Sequence, residues 1–243
     1  MKLRLRHTKL GKIRFTSHRD TARHWERAVR KANVPLAYSA GFTPRPRMSF
    51  GLALPTGAES LAEYLDMELA PEAGTDIDLA ELAVRFSAEL PVGYEVTHVV
   101  PRDADSVPSL QEDVTACTWV LTLEGVDAHE LRDTIDRTMT VPSLMVERER
   151  KGQRSTDDVR PAILNLSVAP STDDPRPHLC AMLATNGRGL RPVELLAAMF
   201  PALDPVDTAA RVLRTQQWIE RDGVRREIIP ADPVATRTPV ECA

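Results

Sequence analysis

The sequence has few of the residues on which metalloproteins and cofactor enzymes depend. Its three cysteines, Cys117, Cys180 and Cys242, form neither a CxxC pair nor the CxxxCxxC triplet that holds an iron–sulfur cluster. Their spacing also does not match a zinc site, and the six histidines form no HxH or HxxxH pair. We therefore expect no metal and no cofactor.

Long apolar runs and an export signal are also missing. No segment approaches the 18 consecutive apolar residues of a membrane-spanning helix. The opening residues, Met-Lys-Leu-Arg-Leu-Arg, alternate in charge and never form the apolar centre of a signal peptide. We therefore expect a cytoplasmic protein that makes no membrane contact.

Positive charge is concentrated at the start of the chain. Residues 1–50 hold 13 Lys and Arg against Asp20 and Glu26, a local charge of +11, whereas the remaining residues carry −15 and the whole chain −4. A cationic region of this density attracts polyanions and releases counterions when it binds phosphates. Aromatic residues make up only 5% of the chain, so base stacking would depend on a few side chains.

Two successive rounds of strand and helix patterns predict an α+β fold of two tandem ferredoxin-like (split βαβ) domains with antiparallel sheets. In the first round we expect a bent strand or hairpin over 2–15, helices over 17–32 and 76–89, and strands over 35–39, 48–54, 63–69 and 94–100. In the second we expect strands over 116–123, 143–150, 162–168, 178–184 and 211–219, with helices over 127–138 and 192–198. Alternation in 63–69 predicts that Leu65, Met67 and Leu69 face inward and that Tyr64, Asp66 and Glu68 face outward.

These patterns also predict the domain organisation. Residues 1–101 form a basic domain, 102–114 a polar linker with prolines, and 115–228 the second domain. The Pro- and Thr-rich residues 229–243 form a flexible tail.

The first predicted helix carries a row of arginines. Arg19, Arg23, Arg27 and Arg30, with Lys31, recur at helical spacing opposite the apolar face of Ala22, Trp25 and Val29. Like charges so placed repel one another, which indicates a polyanion or an acidic protein surface as partner. Arginine also favours bidentate contacts with phosphate. The alternative is a solvated helix face whose arginines pair with acidic residues elsewhere.

The segment 38–50 predicts a second basic element. Two prolines flank Arg45 and keep the backbone extended, which presents Arg45 and Arg47. Tyr38 and Phe42 are placed to stack on a base. The alternative is a turn in which Phe42 belongs to the core.

Further candidate residues are more scattered. Arg14, Arg160, Arg188 and Arg191 are predicted to contact RNA, the last two because they lie in a Gly-containing turn that leads into a helix N-terminus. His18, Asp20 and Tyr64 are the weak catalytic candidates. Ser17 and Asp20 are already explained as a helix-capping pair, which leaves little basis for a Ser–His–Asp relay.

Three segments, residues 15–28, 38–57 and 60–69, closely resemble the radical-SAM-linked family of uncharacterised bacterial proteins. Asp158-Val-Arg-Pro161 and Arg191-Pro192 also fit the family. Its members occur alone or fused behind a radical-SAM enzyme, so the resemblance implies an association with radical-SAM chemistry acting on RNA. Because this chain lacks the cysteine triplet, it would not perform that chemistry itself.

The leading hypothesis is therefore a non-catalytic RNA-binding accessory module that supports an RNA-modifying radical-SAM enzyme. Its expected partners are tRNA or rRNA and a radical-SAM protein. Two alternatives stay open: an RNA-modifying or RNA-processing enzyme of tandem ferredoxin-like fold, and an adaptor that docks an acidic protein partner.

Overall fold

A computed structural model describes residues 1–73, 77–102, 109–150, 152–170, 174–187 and 189–229 and shows a mixed α+β fold. The described residues divide into two units. Met1–Val114 together with Ile229 form the first unit, and Thr115–Ile228 form the second.

The first unit is built on an antiparallel sheet. Its strands are β1 (Lys2–Lys9), β2 (Met48–Phe50), β3 (Glu59–Glu68) and β4 (Val96–Arg102). They lie in the order β4-β1-β3, and the short β2 pairs with β3. Helix α1 (His18–Lys31) follows β1 and helix α2 (Leu79–Glu89) follows β3, so the chain order is β1-α1-β2-β3-α2-β4.

Two helices cover one face of this sheet. Helix α1 (His18–Lys31) begins where the Ser17 hydroxyl accepts a hydrogen bond from the Asp20 amide, as the capping pattern predicts. Helix α2 (Leu79–Glu89) is capped by the Asp78 side chain. The helices and the sheet share one apolar core that includes Trp25, Phe86, Leu3, Leu5, Leu65 and Met67.

The prediction that 12–15 continues the first strand is wrong. Gly11–Phe15 form a 3-10 helix instead, after Gly11 adopts a φ of 70° that favours glycine and turns the chain. Phe15, expected inward, is exposed. Alternation over only four residues does not separate a strand from a tight helical turn. Residues 35–39 likewise form only isolated bridges, Leu36 with Leu69 and Tyr38 with Pro46.

The polar face of the sheet is also buried, contrary to the sequence prediction for Tyr64 and Asp66. Arg4 and Asp66 are 7% and 6% exposed, and Arg4 donates from Nε to Asp66 Oδ1 at 2.7 Å and from Nη2 to Oδ2 at 2.9 Å. Arg102 Nη1 lies 3.3 Å from Asp66 Oδ2. The Tyr64 hydroxyl and Arg6 Nη1 donate to the Ile229 carbonyl at 3.5 and 3.2 Å. Alternation identifies two faces of a strand but does not show whether the polar face is covered.

The second unit has a separate strand order. Its strands are β5 (Val114–Leu123), β8 (Ile163–Val168), β9 (His178–Ala184), β10 (Ala209–Arg221) and β11 (Val224–Glu227). The order is β10-β5-β9-β8, with β11 paired to β10. The helices are α4 (Ala128–Thr140), α5 (Pro192–Met199) and the short α6 (Pro205–Thr208).

A hairpin, β6 (Met145–Arg150) and β7 (Gln153–Asp158), forms a two-stranded sheet of its own. Strand β7 was not predicted, because its sequence, Gln-Arg-Ser-Thr-Asp-Asp, has no apolar alternation. In the segment assigned to a linker, Leu110–Asp113 form a single helical turn, α3, with Leu110 buried. In the segment assigned to a tail, Ile229 is buried, and residues 230–243 lie outside the described part of the chain.

Candidate nucleic-acid interface

Helix α1 carries the arginine row on its outer side. Thr21, Trp25, Ala28 and Val29 are buried, and Arg19, Arg23, Arg27 and Arg30 are all exposed. Because the buried residues fix the rotation of the helix, the arginines lie together along the opposite side. The structure thus brings these four predicted residues onto one helix face.

The basic residues of α1 differ in their ion pairs. Arg23 Nη1 lies 3.1 Å from Asp20 Oδ1, and Lys31 Nζ lies 3.2 Å from Glu89 Oε2. Within the described ranges, no acidic side chain is in ion-pair contact with Arg19, Arg27 or Arg30. These three are therefore the positive charges of α1 that no carboxylate neutralises by direct contact.

Two titratable groups on α1, Asp20 and His24, have pKa values below their usual ones. The hydrogen bond from the Ser17 hydroxyl, followed by contact with Arg23, holds the pKa of Asp20 below its usual value. Burial lowers the pKa of His24, and the positive charge of Arg27 lowers it further, against the opposing effect of Asp20. The His24 Nδ1 is buried and has no hydrogen-bond partner among the residues that the structure describes. The helix therefore disfavours an additional positive charge at His24.

The 38–47 loop presents a fully exposed aromatic side chain. Its base is fixed where Ser39 N donates to Arg45 O at 2.9 Å and Arg47 N donates to Ala37 O at 2.8 Å. Phe42 is fully exposed and Tyr38 is half-exposed, so the alternative that Phe42 belongs to the core is wrong. The loop holds an aromatic ring out beside basic residues.

The two arginines of this loop, like the basic residues of α1, differ in whether a carboxylate pairs with them. Arg45 is exposed, and no described carboxylate pairs with it. Arg47 Nη1 lies 3.0 Å from Glu68 Oε2. Arg45 is thus the loop cation that stays available for a ligand.

The remaining predicted arginines are engaged in varied ways. Arg14 lies 3.6 Å from Glu59 and stacks over the Phe15 ring at 4.6 Å. Arg160 donates to the carbonyls of Ile163 and Met139, both at 3.0 Å, which ties neighbouring segments of the second unit together. Arg191 is exposed at the start of α5, and Arg188 lies outside the described residues.

The three catalytic candidates do not form a relay. Asp20 accepts a hydrogen bond from the Ser17 hydroxyl at 2.7 Å. Tyr64 is buried and its hydroxyl donates to the Ile229 carbonyl. His18 is exposed and meets the Phe50 ring edge-on at 5.4 Å between centroids. His18 and Tyr64 do line one small pocket, of about 20 Å³.

The same pocket is also lined by four polar side chains that were not predicted from the sequence, namely His7, Lys9, Thr21 and Glu63, and by the apolar residues Phe50, Leu52 and Leu54. Lys9 is 3% exposed and its Nζ donates to the Thr16 carbonyl at 2.9 Å. The Thr21 hydroxyl lies 3.0 Å from the Tyr94 hydroxyl. Only part of this could be anticipated from the sequence: His7 continues the alternation of Leu3 and Leu5 and packs on the core residue Trp25, whereas the register with β3 shifts between His7 and Lys9.

The described part of the chain holds neither a cluster of metal-ligating side chains nor a membrane-crossing helix. No group of three or more His, Cys, Asp or Glu side chains there is arranged to hold a metal ion. None of its helices is long and apolar enough to cross a membrane.

Comparison with known proteins identifies one family. Residues 2–192 match the model of a family described as "Uncharacterized protein conserved in bacteria (DUF2344)". No curated protein matches the chain.

Proposed function

We propose that this chain, which belongs to the DUF2344 family of uncharacterized bacterial proteins, is an RNA-binding module. The observation that carries the proposal is the set of exposed cations without an ion-pair partner among the described residues, Arg19, Arg27 and Arg30 on α1. A row of like charges on one helix destabilises that helix when nothing neutralises it. A phosphate backbone along the row would supply the missing negative charge.

The 38–47 loop supports the same proposal. A phenylalanine that is fully exposed contributes nothing to the core, whereas stacking on an unpaired base would shield its ring from water. Arg45, exposed beside it, would contact a phosphate of the same strand. Single-stranded or unpaired RNA therefore fits the loop better than a continuous duplex, whose bases are already stacked.

The residue type of the exposed cations also supports phosphate as the ligand. All four cations singled out on α1 and the loop, Arg19, Arg27, Arg30 and Arg45, are arginines. A guanidinium offers paired donors that match two phosphate oxygens, whereas a lysine acts as a point charge. A requirement for solubility alone would not favour arginine over lysine.

We further propose that the module assists an RNA-modifying radical-SAM enzyme, as the resemblance of residues 15–28, 38–57 and 60–69 implies. We also propose that each unit is a ferredoxin-like domain. The strand orders β4-β1-β3, with β2 beside β3, and β10-β5-β9-β8 support this classification, because both place the first and fourth strands of a βαββαβ unit side by side. In the second unit the hairpin β6–β7 would be an insertion.

The test is ultraviolet crosslinking in cells followed by sequencing of the bound RNA. The variant replaces Arg19, Arg27 and Arg30 with glutamine, and the control replaces Arg132, an exposed arginine on α4, with glutamine. We expect the wild type and the control to recover the same RNA and the triple variant to lose it.

Two results would contradict the proposal. One is the absence of crosslinked RNA from the wild type, and the other is equal recovery from all three proteins. A protein partner that co-purifies after nuclease treatment, with no crosslinked RNA, would favour the adaptor alternative instead.

A further inference from the structure

We propose that Phe15 is a second base-stacking residue, which holds an unpaired RNA base beside the start of α1. The inference rests on the proposed RNA-binding function and adds a position on the protein where the strand is held. The Phe15 ring is 62% exposed. It ends the 3-10 helix Gly11–Phe15, two residues before Ser17, the N-cap of α1.

The exposed phenylalanines both lie in basic segments. The chain has five phenylalanines, of which Phe86 and Phe200 are buried and Phe50 is half-buried. Phe15 and Phe42 are the exposed ones, and each has an arginine within three positions along the chain. Exposed aromatic rings interleaved with positive charge are typical of proteins that stack the bases of single-stranded nucleic acid.

The backbone on each side of Phe15 is tied down. Gly57 N donates to the Arg14 carbonyl at 2.8 Å, and Thr16 N donates to the Ile13 carbonyl at 2.9 Å. A Cβ at Gly57 would lie 4.0 Å from Phe15 Cε1, so this glycine approaches the ring closely. The ring is therefore positioned before any ligand arrives, which lowers the entropy lost on binding.

Arg14 covers one face of the ring. Its guanidinium carbon lies 4.6 Å from the ring centroid, the arrangement in which a cation is attracted to an aromatic face. Arg14 Nη1 lies 3.6 Å from Glu59 Oε1 and donates to the Gly11 carbonyl at 3.4 Å, which holds the side chain in place. The opposite face of the ring then supplies the exposed area on which a base would stack. Arg14 is thus a positioning residue for Phe15.

The charge around the ring favours RNA over an uncharged apolar ligand. Residues 11–19 include Lys12, Arg14 and Arg19 and no acidic residue. Lys12 and Arg19 are exposed, and no described carboxylate is in ion-pair contact with either. An apolar peptide laid on Phe15 would leave this charge without a counterpart, whereas an RNA strand brings a base and its flanking phosphates together.

Phe15 also lies at the end of the arginine row. Four positions separate it from Arg19, so the two Cα atoms are at most about 14 Å apart. Arg19 and Arg30 are separated by about 16 Å along α1. At about 3.4 Å per nucleotide of a stacked strand, about nine nucleotides cover the whole distance. Phe15 would therefore hold a base at one end of a strand that lies along α1.

The experiment compares Phe15→Ala and Phe15→Trp in the full chain with Val84→Ala, which removes an exposed apolar side chain on α2. Fluorescence anisotropy measures the affinity for decauridylate and for an abasic ribose-phosphate oligomer of the same length. Loss of one stacked base should weaken decauridylate binding by Phe15→Ala about 5- to 150-fold. The dependence on salt should stay that of the wild type, because the ring carries no charge.

We expect Phe15→Trp to bind decauridylate as tightly as the wild type, since indole also stacks on bases, and all four proteins to bind the abasic oligomer equally. Equal losses of Phe15→Ala for both oligomers would show that the ring shapes the surface without stacking, and would overturn the inference. It is also overturned, and alone, if Phe15→Ala binds decauridylate like Val84→Ala while glutamines at Arg19, Arg27 and Arg30 abolish binding. A wild type that binds no RNA overturns the proposed function itself.

Discussion

If exposed arginines hold RNA, the salt dependence of binding should report how many of them are available. Arg19, Arg27, Arg30 and Arg45 have no ion-pair partner among the described residues. Each contact with a phosphate of single-stranded nucleic acid contributes about 0.7 to the slope of log K against log salt concentration. Four contacts predict a slope near −2.8 for the wild type, and replacing Arg27 and Arg30 with glutamine predicts about −1.4. At 0.1 M salt that change corresponds to a loss of affinity of about 25-fold.

The matched control removes two cations from the same helix. Arg23 is paired with Asp20 and Lys31 with Glu89, so each would have to leave a carboxylate to contact RNA. We therefore expect a smaller drop in slope and affinity for Arg23→Gln with Lys31→Gln. Fluorescence anisotropy at several salt concentrations, with circular dichroism to confirm folding, gives both slopes. Equal drops for the two double variants, or a wild-type slope near the value expected for all 13 basic residues of 1–50, would refute the reasoning.

Three further predictions concern single residues. Phe42→Ala should weaken binding of single-stranded RNA by about 1–3 kcal/mol while leaving the melting temperature unchanged, because the ring is fully exposed; unchanged affinity would show that the ring stacks on no base. Asp66→Asn removes the negative charge that Arg4 and Arg102 contact at this position and should lower the free energy of unfolding in urea by about 3–5 kcal/mol; a loss below 1 kcal/mol would contradict a buried ion pair. Because the folded-state pKa of His24 lies below its usual value of 6.5, the unfolded chain binds the proton more readily, so this residue lowers stability as the pH falls below about 6.5. The melting temperature of His24→Gln should therefore fall less between pH 7 and pH 5.5 than that of the wild type, and parallel decreases would contradict the assignment.

The sequence predicted the features of α1 because they depend on neighbours along the chain. Ser17 and Asp20 are three residues apart, and the apolar spacing of Trp25 and Val29 sets which side of the helix is buried. The order of strands and helices in the first unit could be predicted for the same reason, although Gly11–Phe15 shows that four residues are too few to distinguish a strand from a 3-10 helix.

The sequence did not predict what depends on residues far apart. Arg4 is buried because Asp66, 62 positions later, is its register partner on β3. The pocket escaped prediction for a similar reason, since Lys9, His18 and Glu63 come from three separate elements. No periodicity within one element reveals a carboxylate or a cavity supplied by another.

Because some of the basic residues are buried by partners far along the chain, only part of the charge of +11 in residues 1–50 can contact a ligand. Part of it stabilises the fold: Arg4 is neutralised by Asp66, Arg6 bonds the Ile229 carbonyl, and Lys9 bonds the Thr16 carbonyl. A phosphate cannot reach Arg4 or Arg6 without disrupting the covered face of the sheet, so their charge acts on RNA only through the long-range field, which salt screens within about 10 Å at 0.1 M. Affinity for RNA should therefore follow the few exposed arginines of α1 and the 38–47 loop, while the density of basic residues in the sequence overstates it.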